Sequence, residues 1–382
     1  MERIQNINPE RIRWCCDDRG ISTVELAAQL HFPPSTLDKL MSGDGVSFAQ
    51  LRRIADYFQR GVLFFMENMP VDDARVHSAQ FRTLANQKLG LTPKIKALIE
   101  RVEGQRNVYV NLRDELGGTD QPHFVAPPLA TENPISAAAV TRQWLGLKPE
   151  NTFDTYRAAV EKRGILVFRS NGHNGPWQIE KVSTICGFSL YDPVCPVIVI
   201  KKQPPAYESR QVFTLMHELG HILLHKQSFM DEESDLVFDQ GNEREANEFA
   251  GSLLVPTQFL QQIRDETRPA DVKHFDEWLA PFRRQWGVSG EVILRRLLDA
   301  GRLPQVAYEK YRRLPRPPVQ DNEGGTRQYR YREPVHIFGA PFVQTVLDAL
   351  NATKISLYKA SNYLDNLKIK DMHELERHYG GV

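Results

Sequence analysis

His217-Glu218-Leu219-Gly220-His221 constrains this chain more than any other stretch, because it lies inside a run that is otherwise helical. At a spacing of four, both imidazoles fall on one helix face, one turn apart, where they can bind a single metal ion. Glu218 is then placed to act as general base toward a water on that metal. A tetrahedral zinc with one open position needs a third protein ligand. A second, acid-rich helix begins with Glu243-Arg244-Glu245-Ala246-Asn247-Glu248. Glu243 and Asn247 share one face of it, so Glu243 can complete the ligand set while the Asn247 amide holds a ligand histidine from behind. Glu245 competes for the third position, but only Glu243 has a polar partner four residues on. The pattern predicts one zinc per chain on His217, His221 and Glu243, with Glu218 as the catalytic base.

A chain of 382 residues is too long for one ordinary domain. Its hydrophobic fraction of 41% and charged fraction of 25% are those of a soluble globular protein. Net charge is zero, so no global field draws it to nucleic acid or anionic lipid, and any DNA contact must come from a local patch. No stretch approaches the roughly 20 apolar residues needed to span a bilayer. The first residues lack the apolar core of a signal peptide. Four cysteines without a CxxC pair do not make a disulfide framework, and a cytoplasmic protein is expected.

The punctuation divides the chain into four parts. Residues 1–70 read as short helices: Ser22 to Glu25 has capping-box spacing, and Ser42-Gly43 stops a helix over Ser35 to Met41. Helix, turn, helix and stop are the layout of a helix-turn-helix. The stretch resembles XRE-type DNA-binding domains, with Ser35, Thr36 and Lys39 directed outward and Leu37 and Leu40 inward. Its eight basic and nine acidic side chains are poor for neutralising phosphate, so protein docking is the competing role. Residues 71–134 read as a helical connector and a linker through Gly117-Gly118 and Pro122 to Pro128. Residues 135–305 carry apolar runs at 165–168, 185–190 and 197–200, followed by the two acid- and histidine-bearing helices. That order suggests an α+β domain. Residues 306–382 read as a linker and a mostly helical tail. The fold class expected is therefore multidomain: all-α helix-turn-helix, α+β domain, helical C-terminal region.

Arg210 to Met216, Ile222 to His225, Glu243 to Ala250 and Leu253-Leu254-Val255-Pro256 surround the histidine motif. Together they resemble the ImmA/IrrE family of metallopeptidases across about residues 135–300. The resemblance implies a zincin-like endopeptidase domain, often accompanied by an XRE-type helix-turn-helix. It also implies a proteinaceous substrate, a repressor or antitoxin-like regulator in a bacterial or phage stress-response or gene-regulation circuit. The alternative is a DNA-binding regulator whose zinc domain is a sensor or scaffold. An intact Glu218 favours the enzyme, because a scaffold has no need of a base.

Four further features carry lesser expectations. His225 continues the series from His221 and is expected to hydrogen-bond rather than ligate. A thiolate from Cys186 could close the open zinc position, though a buried hydrophobe is the commoner role. Asp231 to Asp235 reads as a solvated loop. Arginines and tyrosines between Tyr308 and Arg332 suit either base stacking or a solvated linker.

Overall fold

A computed structural model describes residues 3–42, 45–58, 60–71, 84, 91–118, 123–129, 133–148, 152–173, 175–237, 240–315 and 329–379. Its contacts divide the chain into two compact units, Met1–Glu100 and Arg101–Val382.

In the first unit a short antiparallel ribbon pairs β1 (Arg3–Ile4) with β2 (Val46–Ser47). The helices are α1 (Pro9–Arg19), α2 (Thr23–Gln29), α3 (Pro34–Ser42) and α4 (Phe48–Phe58). Asn8 caps α1, and Gly20 ends it in the left-handed conformation. Ser22 and Glu25 form the expected capping box on α2. Ile12, Leu26, Leu40, Leu51, Ile54, Phe58 and Phe65 make the unit's own core. The surface of α3 differs from the sequence reading. Ser35 is exposed and Lys39 half-buried, but Thr36 is buried, its hydroxyl accepting from Gln50 Nε2 at 3.3 Å. Thr36 is thus withdrawn from the outward face. The side chain of Leu37 lies outside the described residues.

The division between units falls inside α5 (Pro93–Glu115). In the second unit, α6 (Pro134–Leu145) is capped by Asn133 and closed by left-handed Gly146. Next, α7 (Phe153–Glu161) leads into a four-stranded mixed sheet of order β3-β5-β4-β6. The strands are β3 (Leu166–Arg169), β4 (Ile185–Leu190), β5 (Val197–Ile200) and β6 (Phe229–Glu232). β3 pairs parallel with β5, and the β5-β4-β6 pairings are antiparallel. Between β5 and β6 runs α8 (Glu208–Gly220), and after β6 comes α9 (Gly241–Leu254). This is an α+β arrangement: mostly helix, with one small sheet.

The strands read as unbroken apolar runs because both sheet faces are covered. Val167, Ile198 and Ile200 join the core formed with Val212, Leu215 and Leu219 of α8 and Phe249, Ala250 and Leu253 of α9. By the period-two rule, Leu166 and Phe168 face the other way. There Phe168, Trp177, Phe338 and Phe342 form an aromatic cluster with edge-to-face contacts at 4.8–6.2 Å. Two of those rings belong to the helical tail. Following α10 (Gly290–Asp299) and α11 (Gln305–Arg312), α12 (Glu333–Asn351) packs on β3.

The tail thus packs on β3 and lies in the same compact unit as the sheet, Arg101–Val382. The helix α12 breaks at Gly339 (φ 82°, ψ 164°), two residues before Pro341. At that break Arg157 donates to the carbonyls of Val335, His336 and Ile337 at 3.3, 3.0 and 3.3 Å while paired with Glu161 at 2.9 Å. A Cβ on Gly339 would collide with Glu161 Oε1. The linker expected near residues 314–325 lies mostly outside the described residues. Tyr308, Tyr311 and Tyr331 are buried, and Arg330 pairs with Glu333 and Asp365, so these members of the Arg/Tyr-rich stretch serve the fold. Arg316 and Arg327 lie outside the described residues.

Candidate metal centre

His217 on α8 and His221 in the turn that follows face β6 and α9, and both are fully buried. Gly220, the only residue of the motif without a side chain, lets α9 approach. A Cβ there would lie 3.1 Å from Phe249 and 3.4 Å from the Ala246 backbone. That close crossing delivers Glu243, in the first turn of α9, to the histidines. The Nε2 atoms of His217 and His221 are 3.0 Å apart. Glu243 Oε2 lies 3.2 Å from the first and 3.6 Å from the second.

A fourth group completes the cluster. Asp231 of β6 is fully buried, with Oδ2 3.1 Å from His217 Nε2 and 3.5 Å from His221 Nε2. The expectation of a solvated loop at 231–235 is wrong for Asp231. Residues 229–232 form a strand paired with β4, and the register sets Asp231 opposite Gly187 beside a bulge.

These four residues fit a metal ion. Ligand atoms about 2.0–2.1 Å from a tetrahedral zinc are separated by about 3.3–3.4 Å. The five distances above, 3.0–3.6 Å, bracket that edge. Two imidazoles with two carboxylates leave the cluster short of positive charge, which a divalent cation would supply.

The neighbours orient the cluster. Immediately after α8 the chain makes one π turn, His221–His225, closed by Lys226 in the left-handed conformation. It brings His225 Nδ1 to 2.9 Å from His221 Nδ1 and His225 Nε2 to 3.1 Å from Glu245 Oε2. Glu245 is therefore spent on His225, one shell away from the cluster, which separates it from Glu243. Phe229 stacks on His221 at 4.0 Å between ring centres. Asn247 does not take the place the sequence reading gave it. Its amide donates to the Asp235 carbonyl at 3.0 Å, and it is His225 that meets His221 Nδ1.

Glu218 is also fully buried and faces Asp231 and Ser189. Gly187 makes room for it: a Cβ there would fall 2.9 Å from Glu218 Oε1 and 2.8 Å from the Val199 carbonyl. Burial, reinforced by Asp231, raises the Glu218 carboxyl well above its usual range. Burial opposes ionisation of Asp231 too, but His217 and His221 outweigh it and hold that carboxyl well below its usual range. The proton of the pair thus belongs to Glu218. Burial likewise opposes charge on His217, yet Asp231 and Glu243 raise its imidazole to about 9. Cys186 is buried and its thiol pushed up to about 12, which works against a thiolate switch.

One pH prediction follows from His217. A raised imidazole is protonated in the metal-free protein at pH 7, and a metal must displace that proton. Zinc binding should release roughly one proton from this group at pH 7, falling toward none as pH passes 9. Calorimetry in buffers of different ionisation enthalpy reads it. Proton release that grows between pH 7 and 10 would contradict the assignment.

Residues 160–298 match the M78 peptidase family, described as the IrrE N-terminal-like domain. No curated protein matches the chain. The matched stretch holds His217, His221, Asp231 and Glu243, and it supports a zincin-like metallopeptidase domain of the ImmA/IrrE kind. Among the described residues no helix is long and apolar enough to cross a membrane.

Proposed function

We propose that the chain is a zinc-dependent endopeptidase acting on a regulatory protein, with His217, His221 and Glu243 as zinc ligands and Glu218 as the catalytic base. The observation that carries this reading is the convergence of Glu243 on both histidine Nε2 atoms, with Glu218 intact beside them. A bound zinc ion supplies Lewis acidity toward a peptide carbonyl and lowers the pKa of a coordinated water. The chain's own residues do the rest. His225 accepts from His221 Nδ1–H and donates to Glu245, fixing the tautomer that leaves His221 Nε2 free to ligate. Glu218, once ionised, takes a proton from the attacking water and returns it to the leaving amine.

A groove of about 420 Å³ runs beside the cluster, lined by Phe213, Thr214, Arg244, Asn247 and Arg296 among others. Residues 1–70 are read as a docking or helix-turn-helix module; Ser35 and Lys39 remain its candidate DNA contacts. Incubating the full-length protein with the product of its neighbouring gene, with and without chelator, tests the proposal. Cleavage at one or a few positions, abolished by chelator and restored by zinc, is the expected result. Cleavage that chelator leaves untouched would refute it.

A further inference from the structure

Asp231 is not needed by the mechanism above, yet it is as well placed for the metal as Glu243. Its Oδ2 stands 3.1 and 3.5 Å from the two Nε2 atoms, against 3.2 and 3.6 Å for Glu243 Oε2. We propose that Asp231 is a fourth protein ligand, occupying the coordination position that a working peptidase keeps open, so that the resting enzyme is latent. The inference rests on the metal-site reading of the preceding subsection.

Three observations carry it. First, Asp231 is fully buried, and neither carboxylate oxygen makes a hydrogen bond of ordinary geometry among the described residues, while Oδ2 faces both imidazole Nε2 atoms. A buried carboxylate set against two imidazole nitrogens and lacking an ordinary hydrogen bond is satisfied by a bound cation. Structural zinc sites are closed by four protein ligands, whereas catalytic sites use three. Second, the same aspartate occupies the base. Glu218 faces Asp231 and the Ser189 hydroxyl, and makes no hydrogen bond of ordinary geometry to any group among the described residues. One side chain thus fills the open position and engages Glu218.

Third, the backbone allows Asp231 to leave without disturbing the other ligands. It sits on β6, a four-residue edge strand with a bulged pairing to β4, whereas His217, His221 and Glu243 are fixed on packed helices or the turn that follows. Just beyond it, the Glu232 amide donates to Asp235 Oδ2 at 2.8 Å, and Asn247 holds the Asp235 carbonyl. Asn247 therefore anchors the strand that carries the fourth ligand. A shift of this edge strand opens one coordination position and releases Glu218 together.

The test uses the full-length protein stripped of metal and reloaded with cobalt(II), whose visible absorption reports its ligands, with acetohydroxamate as the probe of an open position. Wild type is expected to bind one cobalt per chain with a spectrum that acetohydroxamate leaves unchanged. Asp231→Asn and Asp231→Ala are expected to bind cobalt at least about tenfold more weakly and to change spectrum when acetohydroxamate is added. A wild-type spectrum that shifts with acetohydroxamate would overturn the proposal, whether or not the variants fold. So would an Asp231→Asn protein that binds as tightly as wild type and stays unresponsive. Failure of wild type to bind cobalt at all would instead remove the metal site, and this inference with it.

Discussion

Glu218→Gln should leave the protein able to bind one zinc per chain while slowing peptide hydrolysis by about 10²–10⁴-fold, the usual contribution of a positioned acid–base group. The separation is expected because Glu218 does not belong to the converging cluster of His217, His221, Asp231 and Glu243. It faces Asp231 across a gap made by Gly187, so an amide of the same shape fits the same space. His217→Ala and His221→Ala should behave differently and lose the metal. Metal analysis beside single-turnover cleavage distinguishes the two classes. Equal metal loss in all three variants would leave Glu218 without a chemical role of its own.

The second large effect is on stability. Arg157→Ala removes a cation from a buried pair and strips three carbonyls of α12 of their donor. Burial has already raised the Glu161 carboxyl to about 7 despite Arg157 beside it. Breaking one partner of such a pair costs about 3–5 kcal/mol, here because Glu161 must take up a proton and the carbonyls lose their donor. Denaturant unfolding followed by tryptophan fluorescence should show it, since Trp177 packs on Phe338 of the same helix. A loss below about 1 kcal/mol would mean that α12 is not held by this device.

How much of this could be read from the residues varies with the physics involved. The helices that carry the cluster were legible, because helical periodicity places His217 with His221 and starts a second polar face at Glu243. The Glu243–Glu245 choice was also within reach, but its resolution depends on the π turn, which no periodicity announces. Asp231 was missed for a clear reason. Asp231-Glu232-Glu233-Ser234-Asp235 has the composition of a solvated loop, and only pairing with β4 turns its first member inward.

Thr36 shows the same weakness on a smaller scale. A hydroxyl on a short helix reads as surface until a partner such as Gln50 reaches it from another element. The role of the tail could have been inferred. Strands that are apolar at every position, such as Val197–Ile200, require cover on both faces. The helices between residues 135 and 305 account for one face, and the apolar stretch after His336 was available for the other. The linker signals before it instead read as the start of a separate region.

Zinc content across four proteins tests the central claim most directly. Native mass spectrometry of protein prepared without chelator should find one zinc on the wild-type chain and on Glu245→Ala, and none on His217→Ala or Glu243→Ala. Retention by Glu243→Ala with loss from Glu245→Ala would contradict the ligand assignment. A wild-type stoichiometry well below one, unchanged after zinc is added, would contradict the metal centre itself.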